Sequence, residues 1–167
     1  MANEALRVAR PEDYAAVTDL LSRSYPVLMA PAYPADLLAL ALPIITRANP
    51  ALLASGRYAV IETEDGTFAG CGGWSRERPG SGAVTPGLAH IRHFAIDPAY
   101  VRRGLGRRLY DWCEHAARGE DMTAFECYSS LNAEPFYRAL GFARVGTLNI
   151  DFGPCALPAI VMTRRIG

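Results

Sequence analysis

The sequence contains no lysine, so all 17 of its cationic side chains are arginines. A Walker-type phosphate-binding loop needs its lysine, and pyridoxal phosphate enzymes and Schiff-base aldolases need a lysine amine. None of these chemistries can be built from this chain. The 17 acidic side chains balance the arginines, which makes the formal net charge zero. Because no overall field attracts polyanions, we expect neither a nucleic-acid partner nor an anionic membrane surface.

Metal-binding and disulfide patterns are also missing. The chain has four cysteines and no C-x-x-C pair among them: Cys71, Cys113, Cys127 and Cys155. This spacing supports neither a zinc knuckle nor a small disulfide scaffold. We therefore predict no metal site, and separate buried thiols in a reducing compartment.

The sequence shows no targeting or membrane-spanning segment. Residues Met1 to Val8 include Glu4 and lack the apolar h-region of a secretory signal. The most apolar long stretch, residues 27–45, is interrupted by three prolines and an aspartate, so it cannot be an uninterrupted membrane span. The cytoplasm is the predicted location.

Hydrophobic periodicity predicts one α/β domain over residues 1–167, with the order β-α-α-β-β-β-α-β-α-β-β. Strands are predicted near residues 6–8, 57–63, 68–75, 88–96, 122–128, 143–150 and 159–164. Helices are predicted after Asp13, over 35–47 with Pro43 as a kink, from Gly104 to Gly119, and from Asn132 as N-cap to Gly141. The strand-helix-strand unit of residues 89–128 should form a parallel pair in an otherwise mostly antiparallel sheet.

The most informative stretch is Tyr100 to Arg108, which reads YVRRGLGRR between a strand and an amphipathic helix. Glycines allow backbone amides to approach a ligand, and the first helical turn leaves amides unpaired at the positive end of the dipole. This is the outline of a pyrophosphate site. A tight turn with solvated arginines is the alternative interpretation. The dinucleotide fingerprint G-x-G-x-x-G fails because Leu109 occupies its third glycine position.

Three consecutive segments carry a family resemblance. They are FAIDP at residues 94–98, RRGLGR at 102–107 and SLNAEPFYRALGF at 130–142. In this combination the chain closely resembles the GNAT superfamily of N-acetyltransferases over residues 88–142. The rest of the chain is consistent with that family in element order.

The resemblance implies acetyl-CoA as co-substrate and a set of residues that contact it. The family's pyrophosphate loop maps to Arg102, Arg103, Gly104, Leu105, Gly106 and Arg107. The strand that pairs with the pantetheine arm maps to Phe94, Ala95 and Ile96, and an amide there can steady the oxyanion formed from the thioester. Asn132 corresponds to the family's cofactor-contacting asparagine. Val101 departs from the family pattern, which usually has Gln or Arg there.

Tyr137 corresponds to the tyrosine that protonates the departing CoA thiolate in the family. A phenol with a pKa near 10 is a competent donor to a thiolate whose conjugate acid has a pKa near 8.5. The alternative is that Tyr137 only packs the short helix beside Phe136 and Leu140, with its hydroxyl at the rim.

The acceptor amine must also lose a proton, since an alkyl amine is neutral in only about one molecule per few thousand at pH 7. His90 lies where related acetyltransferases often carry a Glu or His that activates the amine. Glu126 and His93 are the other candidate bases, and solvent remains a fourth possibility. Strand alternation is expected to place Phe94 and Ile96 on the face of His90 and His93 on the opposite face.

The favoured function is an acyltransferase that moves the acetyl group of acetyl-CoA to a primary amine, by direct attack in a ternary complex. A non-catalytic acyl-CoA sensor or regulatory module is the alternative, and a nucleotide-binding oxidoreductase is a third hypothesis that the missing glycine disfavours.

The acceptor, a small molecule or a peptide, is expected to bind a surface built from residues 25–47 and 75–90, with Tyr33 and Trp74 in its lining or in the core. The mixture of Tyr, Leu and Pro there suggests a partly apolar acceptor. A homodimer is possible.

Overall fold

The computed structural model describes residues 4–167, which form a seven-stranded sheet with helices on both faces. The strands lie in the order β1-β2-β3-β4-β5-β7-β6. Their bounds are β1 Ala5–Val8, β2 Tyr58–Glu62, β3 Phe68–Ser75, β4 Leu88–Ile96, β5 Ala124–Ser130, β6 Ala143–Asp151 and β7 Ala156–Arg165. Every neighbouring pair is antiparallel except β4 with β5. The predicted mixed, mostly antiparallel α/β fold is therefore confirmed.

Within residues 4–167, five α-helices connect these strands. They are α1 Tyr14–Leu28, α2 Ala35–Ile45, α3 Pro50–Ala54, α4 Leu105–Gly119 and α5 Glu134–Ala139. Helix α3 was not predicted, because five residues are too few to show helical periodicity. Its start nevertheless carries a signal, since the Asn49 side chain accepts hydrogen bonds from the backbone amides of Ala51 and Leu52.

Hydrophobic clusters bury both faces of the sheet. On one face, Tyr110 and Cys113 of α4 pack with Phe125 of β5. On the other face, Val17 and Leu20 of α1 are fully buried. Burying one such apolar side chain contributes about 1.5–3 kcal/mol to folding. Helices α4 and α1 are therefore anchored to opposite faces of the sheet.

The parallel ladder between β4 and β5 is short. Three residue pairs join the two strands, and the last of them is His90 with Glu126. Beyond this pair, β4 continues to Ile96 and β5 to Ser130 without pairing with each other. The strands separate there, so backbone donors and acceptors on their facing edges are available to a ligand.

A bulge interrupts β4 in the separated part. The register with β3 shifts between Cys71 and Gly73, and His93 adopts a φ of +47°, in the left-handed region. Opposite the bulge, a Cβ atom at Gly72 would come within 2.5 Å of the Phe94 ring, so only glycine leaves room for this ring.

The bulge makes the predicted alternation along β4 wrong. Ala89 and Ile91 pack on the α4 face before the bulge, and Phe94 packs on that same face after it. Ile96 also lies on the α4 side. Phe94 and Ile96 therefore do not share the face of His90, because the extra residue shifts the two-residue period by one position.

The segment after β5 also differs from prediction. Asn132 does not cap a helix: residues Leu131–Ala133 form a 3-10 turn, and Ala133 is the N-cap of α5. Asn132 is thereby released from a capping role. Its amide oxygen is buried without a hydrogen-bond partner within residues 4–167.

Three of the four thiols, those of Cys71, Cys113 and Cys127, are buried, and no cysteine of the described chain is in a disulfide. Within residues 4–167, no helix has the length and apolar character needed to cross a membrane. Residues 1–3 of the segment predicted not to be a secretory signal lie outside the described residues.

Candidate active site

The loop before α4 forms a concave cradle of backbone amides, here called the cradle (residues 101–107). Gly104 is the N-cap of α4 with a φ of +77°, and Arg102 has a φ of +64°. Left-handed residues in a turn can direct neighbouring backbone N–H groups towards one side, which is how anion-binding nests are built. The first turn of α4 adds amides that have no partner within the helix. This geometry fits the diphosphate of a nucleotide carrier.

The second glycine of the motif has a packing reason as well. A Cβ atom at Gly106 would lie 2.6 Å from the Phe136 ring of α5. The glycine therefore allows α5 to pack against the first turn of α4. This role comes in addition to the close approach of a ligand, which was the role predicted from the sequence.

The arginines of the cradle point in different directions. Arg102 and Arg107 border the main cavity, and Arg107 also donates a hydrogen bond to the Ala139 carbonyl at 3.1 Å. Arg103 instead pairs with Glu4 at 3.2 Å and stacks on the Tyr100 ring. The Arg103 side chain is thus held outside the cavity wall, although its backbone remains part of the cradle.

A cavity of about 720 Å³ runs from the cradle into the gap between β4 and β5. Phe94, Ala95 and Ile96, to which the family resemblance assigns the pantetheine contact, border it from β4. Asn132 borders it from the other side with its unpartnered amide oxygen. A buried acceptor without a donor costs about 1–3 kcal/mol, and an amide N–H of a ligand would remove that cost. The cavity therefore fits an extended carrier that has a diphosphate and amide groups.

Tyr137 of α5 is 5% exposed and borders the same cavity. It lies in an aromatic cluster with Phe94, Phe136 and Phe142. Burial, and next the neighbouring Cys127, raise the pKa of Tyr137 well above its ordinary value, so the phenol is protonated at neutral pH. Burial also raises the pKa of the Cys127 thiol to about 12, and Cys127 is hence an inert thiol rather than a nucleophile.

The structure brings two of the predicted bases together. His90 is 2% exposed, and its Nδ1 atom lies 3.4 Å from Oε1 of Glu126. Burial lowers the pKa of His90, while the Glu126 carboxylate acts in the opposite direction. Arg78 lies 3.6 Å from the same carboxylate oxygen. Neither His90 nor Glu126 borders the main cavity, although Tyr128, two residues after Glu126, does.

His93, the third candidate base, does border the main cavity. Burial, with a smaller effect of Arg92, lowers the pKa of His93 to about 4. Its imidazole is consequently neutral at pH 7 and able to accept a proton, but it is a weak base. The bulge that brings it to the cavity has no signature in the sequence.

The surface expected for the acceptor is only partly as predicted. Tyr33 borders the cavity together with residues of α1 and α2 from the 25–47 segment. Within residues 4–167, no residue from 75 to 90 borders it, because that loop lies beside the opposite end of β4. Trp74 is fully buried in the core. Residues of β6 and β7, including Ile150 and Leu157, border the cavity and were missed.

Metal chemistry has no visible site in the described part of the chain. Among residues 4–167, no group of three or more His, Cys, Asp or Glu side chains is arranged to hold a metal ion.

The known proteins to which this chain is similar are acetyltransferases. Residues 44–158 match the sequence profile of a family described as acetyltransferase (GNAT) domain. The chain is similar to N-alpha-acetyltransferase RimI of Mycobacterium tuberculosis, with 30% identity over 119 residues, which cover 71% of this chain and 73% of the relative.

Two solved structures share the fold. One is a GCN5-related N-acetyltransferase from Rhodopseudomonas palustris, with a TM-score of 0.78 and 24% identity over 99% of this chain and 97% of that one. The other is the PaiA N-acetyltransferase from Thermoplasma acidophilum in complex with coenzyme A, with a TM-score of 0.73 and 14% identity over 98% of this chain and 99% of that one.

Proposed function

This chain belongs to the GNAT family of acetyltransferases, and from that premise we propose that it transfers the acetyl group of acetyl-CoA to a primary amine by direct attack in a ternary complex. One observation carries the proposal. The cradle at the start of α4 opens into a cavity that continues between the separated strands β4 and β5, and Tyr137 borders this same cavity. A single extended thioester can therefore span the anion site and a buried proton donor.

The cradle would hold the CoA diphosphate through the backbone amides of residues 102–107. Arg102 and Arg107 would add charge, and charge-assisted hydrogen bonds are about twice as strong as neutral ones. Asn132 would accept a hydrogen bond from an amide of the pantetheine arm. The free edge of β4 at Phe94 to Ile96 would bind that arm in the manner of an added strand.

Tyr137 would act as the general acid for the departing thiolate. Its raised pKa makes it a weak acid, which at first opposes this role. The neighbouring Cys127 resolves the difficulty, because it reports what this environment does to a thiol: burial raises its pKa to about 12. Burial would likewise raise the pKa of a CoA thiol in the same apolar site, so the environment that weakens Tyr137 as an acid also strengthens the departing thiolate as a base.

The buried pair of His90 and Glu126 would receive the proton of the acceptor amine. Neither group borders the cavity, so the proton would travel through a water molecule next to Tyr128. Burial lowers the pKa of His90, so its imidazole is neutral at pH 7 and able to accept a proton. A water-mediated transfer also explains why a base can be useful without contacting the substrate.

The acetyltransferase function is tested by incubating the protein with acetyl-CoA and a panel of amines. We expect release of CoA thiol, and mass spectrometry should find one acetyl group on the amine product. CoA should also stabilise the protein against heat more than NAD does, because at equal concentration the ligand with the lower Kd stabilises the folded state more. Binding of CoA without thiol release for any amine would instead support the acyl-CoA sensor, and stabilisation by NAD alone would contradict both.

A further inference from the structure

The cavity has a second wall, formed outside the cradle by the ends of α1 and α2 and by the strands β6 and β7. Most of its side chains are apolar, namely Leu28, Met29, Ile44, Ile45, Ile150 and Phe152, the last of which directly follows β6. Tyr25 and Tyr33 add hydroxyl groups that are already hydrogen-bonded to backbone carbonyls. The carrier would occupy the cradle and the gap between β4 and β5, and this second wall is left for the acceptor.

Within the described residues, the second wall contains no carboxylate that could pair with an additional ammonium group of the acceptor, beyond the amine that is acetylated. Among residues 4–167, no aspartate or glutamate borders the cavity, and its permanently charged side chains are Arg102 and Arg107 of the cradle. An ammonium group moved from water to such a surface loses its hydration without gaining a counter-ion. A diamine or polyamine would therefore bind poorly. A carboxylate on the acceptor body would lack a cationic partner on the second wall.

The second wall is fixed in place by Tyr33. The Tyr33 hydroxyl donates a hydrogen bond to the Pro158 carbonyl at 2.6 Å and accepts one from the Leu131 amide at 2.9 Å. This contact joins the connection between α1 and α2 to β7 and to the end of β5. Because the wall is held before any ligand arrives, little ordering cost remains at binding.

The same wall disfavours an extended peptide. Beyond its first residue, a peptide would place backbone N–H and C=O groups against Ile44, Ile45 and Phe152, which offer no side-chain hydrogen bonds. Each polar group desolvated without a partner lowers affinity. A small molecule with an apolar body avoids this loss.

We propose that the acceptor is a monoamine with an aliphatic or arylalkyl body and no second charged group. This inference rests on the proposed function. It also bears on the proton, since an apolar site without a carboxylate favours the neutral, nucleophilic form of the bound amine. Part of the deprotonation would thus be achieved by binding, before any base acts.

The experiment compares matched amines in the acetylation assay with the complete chain. Hexylamine is compared with 1,6-diaminohexane, and 2-phenylethylamine with phenylalanine and with an alanyl-leucine peptide. We expect kcat/KM to be at least tenfold higher for the two monoamines than for their charged or peptide counterparts. Equal or higher values for the diamine, for phenylalanine or for the peptide would overturn the inference.

A variant tests whether the wall itself causes the preference. Ile44 borders the cavity and is 37% exposed, so Ile44→Glu places a carboxylate there with little cost in folding. We expect this change to raise the ratio of diamine to monoamine kcat/KM at least tenfold. Leu40→Glu is the matched control, because Leu40 lies on the same helix, is 50% exposed and does not border the cavity. If both variants shift the ratio equally, the wall does not select the acceptor.

A binding measurement separates failure of this inference from failure of the proposed function. Calorimetry on the CoA-loaded protein should detect binding of 2-phenylethylamine, and it should detect no binding of 1,6-diaminohexane at the same concentration. Binding without acetylation would contradict the enzyme while supporting the acceptor class. Acetylation of the diamine in preference to hexylamine would support the enzyme and overturn the acceptor class. No binding of either monoamine would overturn the inference.

Discussion

His90 and Glu126 face each other at the last pair of the β4–β5 ladder, with the imidazole Nδ1 atom 3.4 Å from the carboxylate. The two strands separate immediately beyond them. A histidine and a carboxylate therefore occupy the apex of the gap into which the cavity extends. Their position makes the pair the best candidate for accepting the proton of the acceptor amine.

Removing His90 should slow acetyl transfer and change its pH profile. We expect His90→Gln to lower kcat about 10²-fold, the lower end of the usual range for a general base. Because burial lowers the pKa of His90, the wild-type kcat should fall only below about pH 6.5, and this acid limb should vanish in the variant. His115→Gln, on the exposed side of α4, is the control. If His93→Asn removes the limb while His90→Gln keeps it, the base is His93.

Glu126→Gln distinguishes positioning from direct proton transfer. The Glu126 carboxylate raises the pKa of His90 against the effect of burial, so its neutralisation should move the acid limb of kcat to lower pH. CoA affinity should stay unchanged. A limb that stays at its wild-type pH would mean that Glu126 does not act through His90.

Tyr137→Phe should lower kcat about 10²-fold and leave the Kd for CoA nearly unchanged, because only the phenolic proton is lost. Tyr110→Phe is a matched control: Tyr110 is fully buried, donates a hydrogen bond to Glu114 at 3.0 Å and does not border the cavity. It should cost about 1 kcal/mol of stability and keep kcat. Full activity of the Tyr137 variant across pH would remove the general acid from the mechanism.

Gly104→Ala should weaken CoA binding at least tenfold. Both Gly104, with a φ of +77°, and Gly80, with a φ of +87°, are left-handed, and in each case a Cβ atom would meet no neighbour within 4 Å. An alanine in this conformation costs about 1–2 kcal/mol, so the two substitutions should destabilise the fold alike. Calorimetric titration with CoA separates them, since only Gly104 belongs to the cradle. Equal loss of affinity in both variants would place the diphosphate elsewhere.

His93 should make the folded state sensitive to acid. Its folded-state pKa is about 4, below the value of about 6.5 expected in the unfolded chain. Stability is thus complete above pH 6.5 and falls as the pH drops towards 4, by up to about 3 kcal/mol. Urea unfolding as a function of pH should show this decline, with a smaller decline in His93→Asn, which suits a left-handed backbone. His115→Gln should retain the wild-type slope.

Periodicity and turn residues predicted most of the fold. The bounds of β3 and β4 and the helix from Gly104 to Gly119 follow directly from alternation, helical spacing and glycine positions. Features that depend on tertiary contacts could not be predicted from these local patterns. The left-handed backbone at His93 is stabilised by the room that Gly72 leaves for Phe94 across the sheet, and no local pattern encodes such a distant contact.

The site shows the same division. Gly104, which the glycine motif indicated, and Tyr137, which the family resemblance indicated, both border the cavity. Ile150 and Leu157 were missed, because their contribution depends on where β6 and β7 lie in the sheet. Arg103 was assigned to the ligand with its neighbours, yet its side chain pairs with Glu4, about a hundred residues away in sequence.

The short ladder between β4 and β5 has a mechanical consequence. Strands β1–β4 form one half of the sheet and β5–β7 the other, and within the described residues the two halves share three residue pairs. This seam has the fewest paired residues of any junction between neighbouring strands in residues 4–167, so the sheet itself should open most easily there. A ligand that contacts both β4 and β5 across the gap would hold the two halves together, so the force needed to separate them should rise with the fraction of protein that has the ligand bound.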